Sequence, residues 1–502
     1  MKNSRYLFIP IGLILFFFTS PIFSQSTYNI ESEAITGIGA NTPFWMMSNR
    51  HGIASIDKNN GYLRAGVFNT TNVSNSLNFH FGLDIVETHN YTSKFILQQA
   101  FCDIDYKKFE LSIGSKEYPG IQKNQLLSSG GMSWSGNARP IPMVRLSTPK
   151  YISFPWLFHN ALKVKAAVAF GWFTDGDYQA RTIRFDSINK NSAYTNYYTK
   201  KVLYHQKEFS LMYNFPKSAW SITFDGQLEN QFCGDRYYVD HNVIKVISTP
   251  ITLKHYWMIL IPSQGDSQSP TSDQVYAFGN TLGSELLTIS YHPKDYEIKG
   301  YIENFFEDFS GMSKQNGFDG LWGLEYASQT KQGITGVVLE YLQTTDQSGS
   351  IHWAPSDYKG TNLTNQATGN DDYYNNGNYT GWEHWGMTNG NPLLSSPIYN
   401  TDGTLRIQNN RVKAFHIGLS AALNHTLDAR ILTTYSQGWG RHYLPFEKVK
   451  TTTSALIELN YSPSKLNGWR FTASTAIDRG TLYGDNSALS LKISKKGSLF
   501  AH

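Results

Sequence analysis

Cysteine is almost absent, with Cys102 and Cys233 the two in 502 residues. Two thiols cannot build a disulfide framework, and neither sits in a Cys-x-x-Cys or Cys/His spacing that would hold zinc. They read as isolated thiols, with a single bridge between them as the alternative. Charge is scarce too: Asp, Glu, Lys and Arg make up 16% of the chain, the net charge is +4, and no block of Lys or Arg occurs. That excludes the electrostatic footprint of a nucleic-acid partner. Beyond the N-terminus no apolar run reaches the about 20 residues of a transmembrane helix, so any crossing of a membrane would be made by a closed barrel of strands. No His-Glu-x-x-His, Gly-x-Ser-x-Gly or phosphate-loop pattern is present. The sequence carries no catalytic constellation, and no cofactor or metal is expected.

The first residues read as an export leader. Lys2 and Arg5 precede an apolar run from Tyr6 to Phe18, and small residues end at Ser24. This fits a secretory signal peptide over residues 1–24, with a mature chain from Gln25. The alternative is an uncleaved anchor, for which the run is short and is bracketed by Pro10 and Pro21. Residues 25–502 are then expected to form one unit.

What the chain has in abundance is aromatics, 15% of residues, together with 41 glycines. In Ala219 to Glu229, AWSITFDGQLE, an extended strand puts Trp220, Ile222, Phe224, Gly226 and Leu228 on one side, with Ser221, Thr223, Asp225, Gln227 and Glu229 on the other. The same alternation persists from Leu77 to Val86, Tyr296 to Glu303, Phe415 to Leu423 and Leu489 to Ile493. One strand leaves open whether its apolar face meets a second sheet or lipid. About eighteen strands can be placed between residues 28 and 493, and the gaps between them sort by length. Long connections at 38–61, 116–142, 174–202, 230–283 and 344–410 all follow odd-numbered strands, while tight turns follow even-numbered ones. This is the segregation of an antiparallel outer-membrane β-barrel, an all-β fold with short periplasmic turns and long outer loops. Outer-membrane lipid is the partner such a wall implies. Inside 230–283 a helix is expected, capped by Thr249 with Pro250 in its first turn and Leu253, Tyr256, Trp257 and Leu260 on one face. It could fold into the lumen as a plug.

Several longer motifs occur in order: LSIGSKEYPG at Leu111 to Gly120, SSGGMSWSGNARPIPMVRLSTP at Ser128 to Pro149, YIENFFEDFSGM at Tyr301 to Met312, FDGLWGLEY at Phe318 to Tyr326, and DDYYNNGNYTGWEHWGMTNGNPL at Asp371 to Leu393. Together they resemble the Wzi family of capsule-assembly proteins, in the form common among Bacteroidetes. The likeness runs from about Asn41 to the last strands. It implies an eighteen-stranded outer-membrane barrel that acts as a lectin and helps hold capsular polysaccharide at the cell surface. Thr281 and Asn376 stand where that pattern often carries His. The C-terminus, SLFAH, lacks the terminal aromatic common in such barrels, so either Phe500 stands in or the last strand ends at Ile493.

The 371–393 loop suits a sugar. Tyr373, Tyr374, Tyr379, Trp382 and Trp385 offer flat faces to pyranose C–H groups, and Asn375, Asn378, His384, Asn389 and Asn391 offer hydrogen bonds. The bland alternative is that these rings fasten a long loop over the barrel mouth. Arg139, in a turn fixed by Gly136 and prolines, either attracts an anionic capsule at the rim or answers an inward carboxylate. Glu307 and Asp308 are the carboxylates that a glycosidase reading would use. Neighbouring strand residues point to opposite sides, so they cannot flank one bond, and a loop-pinning role in a short outer connection fits better. The rival functions are a porin-type channel, which shares the barrel but would conduct, and a surface enzyme acting on glycans.

Overall fold

The computed structural model describes residues 24–499, apart from 121–122, 155–159, 184–195, 241–242, 276, 331, 348–351, 354–366 and 369–370. The leader expected over 1–24 lies outside the described residues but for Ser24, which opens the first strand. Phe500 also lies outside them.

Eighteen antiparallel strands close into one barrel. They are β1 (Ser24–Ile38), β2 (Asn60–Ser74), β3 (Leu77–His89), β4 (Phe95–Tyr106), β5 (Phe109–Ser115), β6 (Met143–Ser147, resumed at Ile152–Ser153), β7 (Leu162–Trp172), β8 (Leu203–Asn214) and β9 (Trp220–Phe232). The second half comprises β10 (Asn280–Tyr291), β11 (Tyr296–Phe306), β12 (Gly320–Ser328), β13 (Gly333–Gln343), β14 (Val412–Asn424), β15 (Leu427–Gly440), β16 (Pro445–Tyr461), β17 (Trp469–Gly480) and β18 (Asn486–Ser498). Each pairs with its neighbour in sequence, and β1 pairs with β2 on one side and β18 on the other. The last strand runs past Ile493 to Ser498, because β1 reaches back far enough for Thr27 to pair with Ser498.

The alternation in β9 now has a direction. Ser221, Thr223, Asp225, Gln227 and Glu229 are buried in the barrel interior, while Trp220 is 48% and Phe224 39% exposed on the outside. Leu287, Ile289, Leu339, Ile417, Leu489 and Leu491 are likewise exposed around the wall. A soluble sandwich would bury these residues and expose the polar ones; here the arrangement is inverted, as lipid requires. Connections after even strands are short, such as 75–76, 107–108, 292–295 and 425–426, whereas 39–59, 116–142, 173–202, 233–279 and 344–411 all follow odd strands. At the short-turn end Trp220 meets Tyr291 at 4.8 Å, Tyr291 meets Tyr296 at 6.3 Å, and Tyr296 meets Tyr326 at 5.9 Å. This is a segment of an interfacial aromatic girdle.

The long loops divide between two places. Part of 39–59, 116–142 and 371–411 fill the lumen. The helix expected in the 230–283 loop is present at Leu253–Leu260, but Thr249 and Pro250 do not start it. Thr249 ends the strand Val243–Thr249 of a small outer sheet, and the cap is Thr252, whose hydroxyl accepts from His255 N. Nor does this helix enter the lumen. It packs on the outside of the wall, against Phe170 and Phe232. The two cysteines are both free thiols.

Replacing Phe224, on the outer wall, with Arg is expected to destabilise the barrel in a bilayer by about 2–4 kcal/mol. An exposed site on a soluble sheet would move by about 0.5 kcal/mol or less. Urea titration of refolding into phospholipid vesicles separates the two.

Candidate functional site

An eighteen-stranded wall is too wide for its own side chains to fill, so loops must do so or a channel remains. Their backbone groups then need partners from the wall, and inward carboxylates supply them. Glu303 on β11 forms an ion pair with Lys123 and accepts from Met132 N at 2.9 Å. Glu340 on β13 accepts from Ser128 Oγ at 2.6 Å, Ser129 N at 2.7 Å and Tyr301 Oη at 2.6 Å. Gln227 on β9 accepts from Ser133 Oγ at 3.0 Å. The 116–142 loop thus hangs across the lumen from three strands. On β17, Asp478 accepts from Phe44 N at 3.1 Å and holds the short helix Phe44–Met47 of the first long loop.

The 371–411 segment packs on top of this layer. Trp382 Nε1 donates to Ser133 O at 2.7 Å, Tyr374 Oη donates to Met132 O, and Asn391 Nδ2 donates to Gly130 O at 3.0 Å. Asn375 pairs with Ile407 in both directions at 3.0 Å, and the Tyr379 carbonyl accepts from Tyr197 Oη at 2.5 Å. His384 Nδ1 donates to Arg139 O at 2.9 Å while Nε2 accepts from Thr174 N at 3.2 Å. That pattern fixes a neutral imidazole, and burial lowers its pKa accordingly. Tyr373, Tyr374, Asn375, Tyr379, Trp382, His384 and Asn391 are all buried. As direct sugar contacts these seven are corrected: their faces and amides are already engaged by protein, and they form the plug. Asn378 and Asn389 are engaged as well or buried, Asn378 through Asp273 at 2.8 Å. Glu307 accepts from Tyr374 N at 2.7 Å, so it pins this loop. Below the plug the lumen opens into a chamber of about 420 Å³ lined by Arg430, Glu458, Arg470, Lys492 and Glu31 among others.

Trp385 differs from the rest in being partly exposed, and Arg139, though buried as they are, in carrying a charge. Glu383–His384 and Met387–Thr388 form a hairpin whose two central residues, Trp385 (φ 57°) and Gly386 (φ 83°), both take positive φ. Such a turn follows the twist of the strands, but it forces a bulky residue into a conformation that it rarely adopts. The result is a half-buried indole at the outer surface. The Arg139 guanidinium lies 4.3 Å from its ring centroid. Among the described residues Arg139 contacts no carboxylate and its Nε has no partner, while its amino groups donate to Ser93 Oγ at 3.1 Å and Thr92 Oγ1 at 2.9 Å. Burial therefore disfavours its charge, and the nearby Tyr178 and Asp175 offset only part of the cost.

Trp385 continues into aromatics that the motifs did not mark. Tyr178 is 5.5 Å from it, and Tyr198 packs on the same cluster and stacks on Tyr237 at 4.7 Å. The tandem pairs Tyr197-Tyr198 and Tyr237-Tyr238 lie opposite each other in the outer sheet formed by Tyr197–Lys200, Gly234–Asp240 and Val243–Thr249. Arg236 sits 4.3 Å from the Tyr197 ring. Two Tyr doublets in the loops flanking β8 and β9 were the available signal.

Two measurements probe the plug. Glu303→Gln strands the buried Lys123 ammonium and is expected to cost about 3–5 kcal/mol, much of it recovered by adding Lys123→Met; urea midpoints of the three variants read this directly. Burial, then the nearby Asp308 carboxylate, push Asp371 up to about 7. The folded form therefore holds a proton that the unfolded chain has lost, so its contribution is full below the ordinary carboxylate range and fades as pH rises through 7. Tryptic cleavage after Arg406 should be slower at pH 5.5 than at pH 8 once corrected for trypsin's own pH profile, and Asp371→Asn should flatten that difference.

No family model matches the chain, and no curated protein matches it by sequence. Among solved structures it is similar to Wzi of Escherichia coli, an outer-membrane protein involved in group 1 capsule assembly and described as a carbohydrate-binding β-barrel, with a TM-score of 0.56 and 11% identity over 94% of this chain and 85% of that one. It also aligns with OccAB4 of Acinetobacter baumannii (TM-score 0.44, 10% identity, 95% and 98% of the two chains). OccK5 of Pseudomonas aeruginosa aligns with a TM-score of 0.45 and 7% identity, again over 95% and 98%. At 11% identity the likeness to Wzi bears on the fold alone: with the closed eighteen-strand wall, it shows that this chain has the fold of an outer-membrane β-barrel.

Proposed function

We propose that the protein is an outer-membrane lectin that binds an anionic capsular or surface polysaccharide and helps retain it at the cell surface. The observation that carries this reading is the Trp385 indole, half-buried at the outer rim, with the buried Arg139 guanidinium packed against it 4.3 Å from the ring centroid. A uronate or other acidic sugar meets both needs, through its carboxylate and its C–H face. Tyr178 and Tyr198 pack with Trp385 and Tyr198 stacks on Tyr237, so the indole stands on an aromatic support. Export through cleavage near Gln25 belongs to the same proposal. It involves no catalysis.

The occluded lumen supports this reading over a transport pore, since three long loops are bonded to the wall or to one another across it. Planar-bilayer recordings of the purified barrel should show no steady porin-sized conductance.

Cells lacking the protein should make capsule but shed it into the medium. Arg139→Gln keeps a side chain able to bond Thr92 and Ser93 but removes the charge. It is expected to weaken binding of acidic polysaccharide about tenfold, with unchanged barrel content in the outer membrane. Binding unaffected by Arg139→Gln and by Trp385→Leu, or new reducing ends when the protein meets capsule, would overturn the proposal.

A further inference from the structure

The helix Leu253–Leu260 is apolar on two faces. His255, Met258 and Ile259 are buried against the wall, while Leu253 is 83% exposed, Trp257 62%, and Ile261 just beyond it 63%. Lys254 is the one charged residue on the free side, and its ammonium is tied to Asp266 at 2.6 Å. A helix whose free side is apolar but for one lysine, whose stem can carry its ammonium toward headgroups, is stable where lipid covers that side.

The wall beneath explains what it covers. Tyr204 and Gln206 on β8 point inward to Glu229, so His205 and Lys207 point outward. His205 stacks on Phe170 at 4.2 Å, and Lys207 Nζ donates to Ile259 O at 3.2 Å, at the C-terminal end of the helix. Lys207 pairs in register with Leu228. Counting strand rise and tilt up from Trp220 in the girdle, Leu228 lies about 20 Å along the barrel axis, inside an apolar band about 25 Å tall. A charged side chain therefore faces outward at hydrocarbon depth, and the helix takes its place on the surface. The 307–319 loop repeats the device one strand pair away: outward Asn304 donates to Gly311 O at 2.9 Å, and Phe318 is left 68% exposed.

We infer that the helix Leu253–Leu260 is a membrane-inserted part of an outer loop, with Leu253, Trp257 and Ile261 among the acyl chains of the outer leaflet. Its free face prolongs upward the belt formed by Phe209, Phe224 and Leu287 on the wall below, and that continuity selects lipid as the occupant. Trp257 suits the interfacial depth, where an indole places its ring in hydrocarbon and its N–H toward headgroups. The loop thereby fixes the height at which the barrel rides in the membrane. The inference stands apart from the polysaccharide reading and shares no residue with it.

Nitroxide labels at Trp257→Cys and Leu253→Cys, in a Cys102→Ser, Cys233→Ala background, test it after reconstitution into phosphatidylcholine vesicles. The ratio of collisions with oxygen to collisions with a water-soluble nickel chelate should lie below that of a label at Leu287→Cys, which sits deeper in the apolar band. It should exceed several-fold that of a label at Asp402→Cys in an outer loop. Ratios like that of Asp402→Cys would overturn the inference, and so would spin–spin broadening, which would assign the face to a second copy. Should the labelled variants fail to fold, wild type and Trp257→Phe can be compared in vesicles of brominated phosphatidylcholine. The variant should lose part of the lipid-quenchable tryptophan fluorescence, and an unchanged quenchable fraction would overturn the inference.

Discussion

Everything in this molecule follows from the need to pair backbone N–H and C=O groups where no water can reach them. An unpaired peptide group in hydrocarbon costs several kcal/mol, so the sheet cannot have an edge there. The ladder from Thr27↔Ser498 to Ile38↔Ser487 is where that condition is met, joining the first strand to the last across the full sequence. Closure sets the circumference, the circumference leaves an interior wider than side chains can fill, and the loops must either fill it or leave water inside. The inward carboxylates Glu303, Glu340 and Asp478 make filling possible, because each accepts backbone N–H groups that would otherwise be buried without partners.

The strands were legible in the sequence because period-two alternation is imposed by the bilayer, and it was lost where the bilayer ends. All eighteen expected strands are present, and their middles match. The ends do not. β16 begins at Pro445, well ahead of the alternating segment near Ala455, because FEKVKTTT carries no apolar face to mark it. β18 runs beyond Ile493 through Lys495 and Lys496 for the same reason. Which way the apolar face pointed was not decidable from one strand; it became so only from the sorting of loop lengths. The cap of the outer helix was misplaced because Thr249-Pro250 and Thr252 both satisfy the local rule. Thr249 is spent on the ladder with Gly234, which a reading of local signals cannot see.

The candidate site was the least legible part, and the cause is chemical. A loop that binds sugar and a loop that stops a barrel solve the same problem, offering flat apolar faces together with amides. Trp382 and Tyr374 use their rings and polar atoms on Ser133, Met132 and Asn391 just as they could have used them on a saccharide. What separates Trp385 from them is one turn of backbone: the hairpin that begins at Glu383 reverses there and lifts the next ring out of the packed layer. Such a reversal depends on paired positive φ values at a Trp-Gly step, which composition does not announce. Tyr198 and Tyr237 were missed because their significance is a pairing across the outer sheet, between residues that the whole of β8 and β9 separates in sequence.

Loop destination follows from which way the wall's polar side chains point. Where the wall directs polar groups inward, as on β11, β13 and β14, the long loop 116–142 crosses the lumen and brings hydroxyls, amides and carbonyls to meet them. Where the wall directs donors outward, as Lys207 and Asn304 do, the loops 233–279 and 307–319 fold over the rim and bring carbonyls down the outside. A loop that goes inward must be polar where it meets the wall. One that goes outward must be polar where it meets the wall and apolar on its far side, since lipid lies beyond it. The Ser-rich run from Ser128 to Ser135 has the first character, and the run from Leu253 to Ile261 has the second. The loops were therefore sorted by what the strands left unpaired, and length alone decided only which end of the barrel they left from.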